Sequence, residues 1–291
     1  KYYLCRNFSK LMYKIETKKN IADNIFRMDV VAPYIAKSAL PGQFVIVRTH
    51  EQGERIPLTI CDFDKDKGIV TLVVQVLGAS SKKICKKNQG EYIADITGPL
   101  GNPSEFIKLT DEQLKAKKFL FIAGGLGSAP VYPQVKWLGI HNVKPDVIIG
   151  AKTENMMIFE NEMKSFAENV FATTDDGSYG FKGLVTDMLD DLIVNQNKKY
   201  DEIIAIGPMI MMKFVSLATK KYNIKTTVSL NSIMVDGTGM CGACRVNVGG
   251  ETKFTCVDGP EFDGHFVDFD EALRRQTMYR NQEQQANCKC M

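Results

Sequence analysis

Three thiols and a carboxylate fall within one run, "MVDGTGMCGACRVNVGGETKFTC", which spans Met234 to Cys256 and contains Asp236, Cys241, Cys244 and Cys256. Four-coordinate iron and zinc sites need four donors, and a tight loop carrying C-x-x-C presents two of them from neighbouring backbone positions. Gly237, Gly239 and Gly242 let such a loop fold closely around a small inorganic object. After Cys244, "RVNVGGETKFTC" reads as a strand, a Gly249-Gly250 turn and a second strand, a hairpin that returns Cys256 beside Cys241 and Cys244. Zinc sites usually show two C-x-x-C pairs or histidines, and the nearest histidine, His265, lies beyond the hairpin. An iron-sulfur cluster is therefore favoured over zinc and over inert buried thiols. Spacing alone leaves Asp236 as either a fourth donor or a cap on the glycine turn.

Other segments have the chemistry to hold organic cofactors. In "RIPLTI" an extended strand puts Arg55, Pro57 and Thr59 on one face, where a guanidinium can meet a diphosphate and a hydroxyl can meet a flavin ring. The plain alternative is an ordinary strand with a surface arginine. "GASSKK", from Gly78, places small residues and hydroxyls at the start of a helix, where free amides favour an anionic phosphate. "AGGLGSAP" follows an apolar strand and precedes a helix. Its Gly124, Gly125 and Gly127 allow a close turn without completing the G-x-G-x-x-G fingerprint, and a simple strand-to-helix connection is the competing reading. "AIGPMIMM" repeats the design at Gly207-Pro208, again at the carboxyl end of a parallel strand.

These residues need three kinds of scaffold. Strand signals dominate from residue 12 to about 104, with no long helix before "SSKKICKK", which suggests a small antiparallel barrel. From Lys118 strands and helices alternate, as in a parallel sheet covered on both faces. The expected units are a β-barrel over residues 12–110, an α/β domain over 111–225, a cluster module over 226–276 and a polar tail over 277–291. A chain of 291 residues with 44% hydrophobic content can bury several such cores. Its net charge, 37 − 34 = +3, gives no case for nucleic acid, and no apolar run reaches membrane-spanning length. Eight cysteines are sparse for this length, which argues for a reducing compartment. The opening "KYYLCRNFSKLMYKI" is basic and lacks an acid before Glu16, a pattern shared with transit peptides. The expectation is a floppy extension ahead of Met12 on a cytoplasmic protein, with an organellar address as the alternative.

Together "RIPLTI", "AGGLGSAP", "TTDDGSYGFKG", "IGPMIMM" and the segment from "SLNSIMVDG" to "EALRRQ" resemble the ferredoxin-reductase superfamily. Within it the chain is most similar to the small subunits of NADH-dependent ferredoxin:NADP oxidoreductases, also called sulfide dehydrogenases, over about residues 12–276. The electron-transfer subunits of dihydroorotate dehydrogenase resemble it more distantly. The resemblance implies a [2Fe-2S] cluster held by Asp236, Cys241, Cys244 and Cys256, with the aspartate where the dihydroorotate relatives have cysteine. It implies FAD on Arg55, Pro57, Leu58, Thr59 and Ile60, with Gly78, Ser80 and Ser81 near the diphosphate. NAD(H) is implied over Gly124, Gly125, Gly127, Gly207 and Pro208, with Asp175 and Asp176 lining the cleft. Ser232 stands where the family usually has proline and is expected to loosen a turn. Cys288 and Cys290 lie outside the resemblance and read as incidental thiols on a mobile end.

The implied function is a redox subunit passing electrons among NAD(H), FAD and the cluster, with no catalytic side-chain constellation. Its implied partners are a larger flavin and iron-sulfur subunit and, through that complex, ferredoxin. The alternatives are a dihydroorotate-linked or sulfide/polysulfide-linked role and, from another class, a zinc-stabilised non-enzymatic binding module. His50, His141 and His265 are expected to be surface or structural residues.

Overall fold

A computed structural model describes the backbone of residues 13–289 and the side chains of 13–285. The segment ahead of Met12 and the thiols of Cys288 and Cys290 lie outside the described residues. Seven strands form the first unit: β1 (Tyr13–Ala22), β2 (Ile25–Val31), β3 (Phe44–Arg48), β4 (Ile56–Asp64), β5 (Ile69–Gln75), β6 (Tyr92–Ile93) and β7 (Asp95–Leu100). They pair antiparallel in the order β6-β1-β2-β5-β4-β3-β7, a nearly closed barrel. Helix α1 (Pro33–Ser38), which no period in the sequence announces, starts on a proline tolerated in the first turn and buries Ile35 and Ala36 in the barrel core. Helix α2 (Ala79–Lys86) follows β5.

The unbroken apolar run of β3 serves two cores at once. Alternation sends Val45 and Val47 into the barrel, while Phe44 and Ile46 face outward and pack with Met234, Cys244 and Cys256. This strand is therefore the seam between the barrel and the cysteine loop.

After α3 (Asp111–Lys115) come β8 (Phe119–Gly124), α4 (Ser128–Ile140), β9 (Asp146–Ala151), α5 (Glu160–Lys164), β10 (Asn169–Thr174), β11 (Phe181–Lys182), α6 (Val185–Asp190), β12 (Glu202–Ile206), α7 (Met209–Lys221) and β13 (Lys225–Ser229). The sheet order β11-β10-β9-β8-β12-β13 is parallel throughout. Continuous burial of "FLFIAG", "DVIIGA" and "EIIAI" follows from helices on both faces. Phe119 and Phe121 meet α4, and Leu120 and Ile122 meet α6 and α7. Strand order reverses between β8 and β12, so a crevice opens at their carboxyl ends. Ile25, Cys61 and Val73 of the barrel share the α4 core, and Lys136 of α4 pairs with Asp62 of β4 at 2.8 Å.

The hairpin β14 (Arg245–Val248) and β15 (Glu251–Phe254) turns on Gly249-Gly250, both at positive φ. Strand β16 (Glu261–Asp263) then joins the large sheet antiparallel to β13, so the segment carrying the cysteines is knitted into the nucleotide-type domain. Helix α8 (Phe269–Gln276) is capped by Asp268, which accepts the Glu271 N–H at 2.9 Å. The polar tail continues as helix α9 (Arg280–Lys289). Among the described residues no helix is long and apolar enough to cross a membrane.

Candidate redox-cofactor site

The loop between β13 and β14 presents its thiols through backbone conformations that few residues other than glycine adopt. Gly237 has φ +83°, and a Cβ there would stand 2.9 Å from Ile46 and 3.0 Å from Leu100, so only glycine lets the loop press onto the barrel. The hairpin brings the strand ends together: Thr255 N–H donates to the Cys244 carbonyl at 3.1 Å, and Cys256 N–H points at Cys244 Sγ at 3.4 Å. Cys244 and Cys256 are buried, whereas Cys241 is exposed. The N–H groups of Ala243, Asp236 and Val235 hold the Cys241 thiol below its ordinary range against the opposing effect of burial. Burial and the neighbouring Cys244 push the Cys256 thiol up to about 12, while the Gly239 N–H pulls the other way. Amides thus point at all three sulfurs, the arrangement that stabilises thiolates and bridging sulfides.

Asp236 does two things in this loop. Its Oδ2 accepts from Thr238 N–H at 3.1 Å, from the Thr238 hydroxyl and from Met240 N–H at 3.4 Å, so it caps the glycine turn. The Thr238 hydroxyl, first among these, holds the carboxyl below its ordinary range although desolvation opposes it. No hydrogen bond reaches Oδ1 among the described residues, and a carboxylate capped through one oxygen keeps the other as a donor to metal. No three His, Cys, Asp and Glu side chains among the described residues converge as a single-ion site requires. A binuclear cluster instead takes its donors in two separated pairs.

Ser232 spends its hydroxyl on Thr255 Oγ1 at 3.0 Å, and that hydroxyl donates to the Cys244 carbonyl at 2.9 Å. The turn expected to loosen there carries a cross-link to the strand that leads into Cys256.

The flavin-type strand lies directly against this loop. Pairing of Thr59 with Phe44 and of Pro57 with Ile46 puts Pro57 and Thr59 on the outward face of the barrel, while Leu58, opposite Val45, turns toward the barrel core. Ile60 is buried in that core and donates its N–H to the Gln43 carbonyl at 3.1 Å. The guanidinium of Arg55 reaches across to the cysteine loop, with Nε 3.0 Å from the Val235 carbonyl and Nη2 3.2 Å from that of Asp236; Nη1 lies 4.0 Å from Asp95. At α2, Ser81 Oγ accepts the N–H groups of Leu77 and Gly78, each at 2.9 Å, and Ser80 hydrogen-bonds Glu54. That contact brings the start of the flavin-type strand to the helix N-terminus, and a Cβ on Gly78 would meet nothing within 4 Å, leaving the approach open.

In the crevice of the parallel sheet, a Cβ on Gly207 would lie 3.1 Å from the Cα of Gly124, and one on Gly127 would strike the Ile206 carbonyl. Gly125 has φ +54° with open space around it. Pro208 caps α7. Asp175 and Asp176 are exposed at the carboxyl end of β10, on the same edge of the sheet. Asp176 Oδ1 is occupied by the N–H (2.9 Å) and hydroxyl (2.6 Å) of Ser178, whereas no hydrogen bond reaches the Asp175 carboxylate among the described residues.

Sequence reasoning did not anticipate Met211, whose thioether lies against both Gly124 and Gly207. Its position one turn into α7 after Gly207-Pro208 was the available signal. Nothing in "DGPEFDG" signalled that Glu261 would lie between domains. The histidines are structural or surface residues: His141 stacks on Trp137, His265 pairs with Thr219 at 3.0 Å, and His50 is exposed.

Residues 231–268 match the family model of the iron-sulfur cluster binding domain of dihydroorotate dehydrogenase B. The chain is 59% identical over 275 residues to an uncharacterized protein of Clostridium beijerinckii, covering 94% of this chain and 93% of that one. It is 45% identical over 270 residues to an electron transfer subunit homolog of dihydroorotate dehydrogenase B (NAD(+)) from Thermotoga maritima, covering 93% and 92%. A solved structure of an NADH-dependent reduced ferredoxin-NADP oxidoreductase, described for its flavin-based electron bifurcation, superposes with a TM-score of 0.86 at 42% identity, covering 96% of this chain and 98% of that one. With its barrel, parallel sheet and cysteine loop in this arrangement, the chain belongs to the family of dihydroorotate dehydrogenase B electron-transfer subunits and their homologues, a family of flavin- and iron-sulfur-dependent oxidoreductases.

Proposed function

We propose that this chain carries electrons between NAD(H), FAD and a [2Fe-2S] cluster and exchanges them with a larger flavin and iron-sulfur subunit, as the small subunit of an electron-bifurcating NADH-dependent ferredoxin:NADP oxidoreductase. The observation that supports this reading is the clamp of the cysteine loop onto the flavin-type strand by Arg55, whose guanidinium donates to the carbonyls of Val235 and Asp236. Asp236, Cys241, Cys244 and Cys256 hold the cluster in this proposal. The outward face of Pro57 and Thr59, with the backbone of Leu58 and Ile60, receives the flavin, and Gly78, Ser80 and Ser81 lie by its diphosphate. Gly124, Gly125, Gly127, Gly207 and Pro208 receive the nicotinamide nucleotide. A nicotinamide gives up two electrons as hydride, and a flavin can release them singly to a one-electron cluster. The protein's own work is to bind, align and exclude water.

A dihydroorotate-linked role is the second reading, favoured by the Thermotoga maritima relative's name and by the match over residues 231–268. Copurification from the native source separates the two. A large subunit with its own flavin and iron-sulfur centres, and NADH-dependent reduction of NADP with ferredoxin, supports the first; a dihydroorotate-oxidising subunit replaces it with the second.

Nucleotide choice gives a further expected outcome. Asp175, whose carboxylate takes no hydrogen bond among the described residues, is the group proposed to meet the adenosine ribose, and a 2′-phosphate there would face a like charge. NADH is expected to reduce the flavin roughly tenfold or more faster than NADPH at equal subsaturating concentration. Single-turnover mixing checks this, and a faster NADPH reaction removes Asp175 from the ribose site.

A further inference from the structure

One carboxyl group ties the three units of the chain together. Glu261, on β16 of the cysteine-bearing segment, accepts on Oε1 from the hydroxyl of Ser104 at 2.8 Å and from Nε2 of Gln134 at 3.0 Å. Ser104 lies just after the barrel and donates its own N–H to the Pro41 carbonyl at 3.0 Å; Gln134 sits on α4, the helix that starts at the glycine turn. Ser104 and Gln134 are both fully buried. Gly42, at φ +88°, makes room, since a Cβ there would stand 3.0 Å from Glu261 Oε1.

The hydrogen bonds of this junction are incomplete while Glu261 is ionised. Both donors converge on Oε1, and Gln134 Oε1, an acceptor on the same amide, is buried with no hydrogen-bond partner. A buried acceptor without a donor costs about 1–3 kcal/mol. A proton on Oε2 of Glu261 would supply the missing donor. The amide would then give a hydrogen bond to one carboxyl oxygen and receive one from the other. We propose that Glu261 is a positioning residue for electron transfer, closing this two-hydrogen-bond acid–amide ring with Gln134 and thereby pinning the cluster segment to the nucleotide domain and the barrel.

The surroundings favour the neutral form. Burial is the largest influence raising the Glu261 carboxyl from 4.5 to about 7; the hydrogen bonds from Ser104 and Gln134 oppose it, and Glu202 of β12 and Glu105 add to it. Lys225 of β13 is spent on Glu202 at 2.9 Å and Glu105 at 3.1 Å, and Lys117 on Glu202 at 3.1 Å. Lys136, on α4 itself, is turned to Asp62. Asp263, on the same strand, caps the N–H of His265, and His265 is turned to Thr219. No cation is left to answer a charged Glu261 among these groups.

The electron-transfer consequence rests on the function proposed above, and the test separates the two. Glu261→Gln keeps an amide–amide ring at every pH, so it reports the protonated geometry without the titration. Because the folded state raises proton affinity, the stabilisation is complete below about pH 4.5 and is lost as pH rises to about 7. The unfolding midpoint of the wild-type holoprotein is therefore expected to drop by about five degrees relative to Glu261→Gln across that window and then run parallel. After mixing with NADH, flavin bleaching should match in the two proteins. Cluster reduction should slow severalfold in the wild type between about pH 6 and about pH 8 and stay level in Glu261→Gln. Superimposable unfolding profiles, or cluster reduction with the same pH dependence in both proteins, overturn the proposal. Failure of NADH to bleach the wild-type flavin overturns the proposed function instead, and the unfolding comparison still decides whether the ring exists.

Discussion

Replacing Asp236 with alanine is expected to make the [2Fe-2S] cluster labile, with iron and acid-labile sulfide falling to a small fraction of wild type on gel filtration. Two losses combine in that variant: one iron is left short of a protein donor, and the glycine turn loses the cap that Oδ2 provides to Thr238 and Met240. Asp236→Asn separates them, because an amide oxygen can still accept those N–H groups but is a poorer, uncharged ligand. Asp236→Cys should retain a cluster while moving its visible spectrum and potential toward an all-thiolate site, since thiolate donates more electron density to ferric iron than carboxylate does. A cap-only role makes a different pattern. Asp236→Asn would then be indistinguishable from wild type, and Asp236→Cys would leave spectrum and potential unchanged.

Arg55→Ala should be nearly as damaging, for a reason the structure adds to the sequence. The resemblance implies Arg55 for a flavin phosphate, and in the structure its guanidinium donates to the carbonyls of Val235 and Asp236, so truncation unclamps the cysteine loop from the barrel. Hydrogen bonds from a charged donor contribute about 1.5–3 kcal/mol each, so losing even one corresponds to roughly a 10- to 150-fold weakening. The expected result is loss of flavin and cluster together, read as flavin, iron and sulfide per chain. Arg55→Lys keeps a positive charge but cannot span two carbonyls with a planar fork. It should hold FAD better than cluster. Full cofactor content in Arg55→Ala would remove both roles.

The sequence was most legible where backbone demands and chemistry coincide. The C-x-x-C loop, the Gly249-Gly250 hairpin and the glycine turns at Gly124 and Gly207 all appear where local pattern put them, because glycine is needed there for reasons a single segment reveals. The antiparallel barrel and parallel sheet followed from alternating and continuous apolar runs. Long-range relations were hidden. Nothing near Arg55 says that it will meet residues some 180 positions away, and "FVIV" does not show that its two faces serve different cores. Asp236 read as ligand or cap; the structure shows that one oxygen caps and the other takes no hydrogen bond among the described residues, so the two roles do not compete. Nothing near Glu261 says that it will meet Ser104 and Gln134, contributed by two other units.

Anaerobic titration of the purified chain with NADH, followed by visible absorbance and low-temperature electron paramagnetic resonance on the same samples, tests the central claim most directly. The expected result is bleaching of flavin absorbance by NADH together with a reduced [2Fe-2S] signal, at one FAD and two iron atoms per chain. A colourless protein containing zinc, or a flavin that NADH bleaches while no reduced iron-sulfur signal appears, would contradict it.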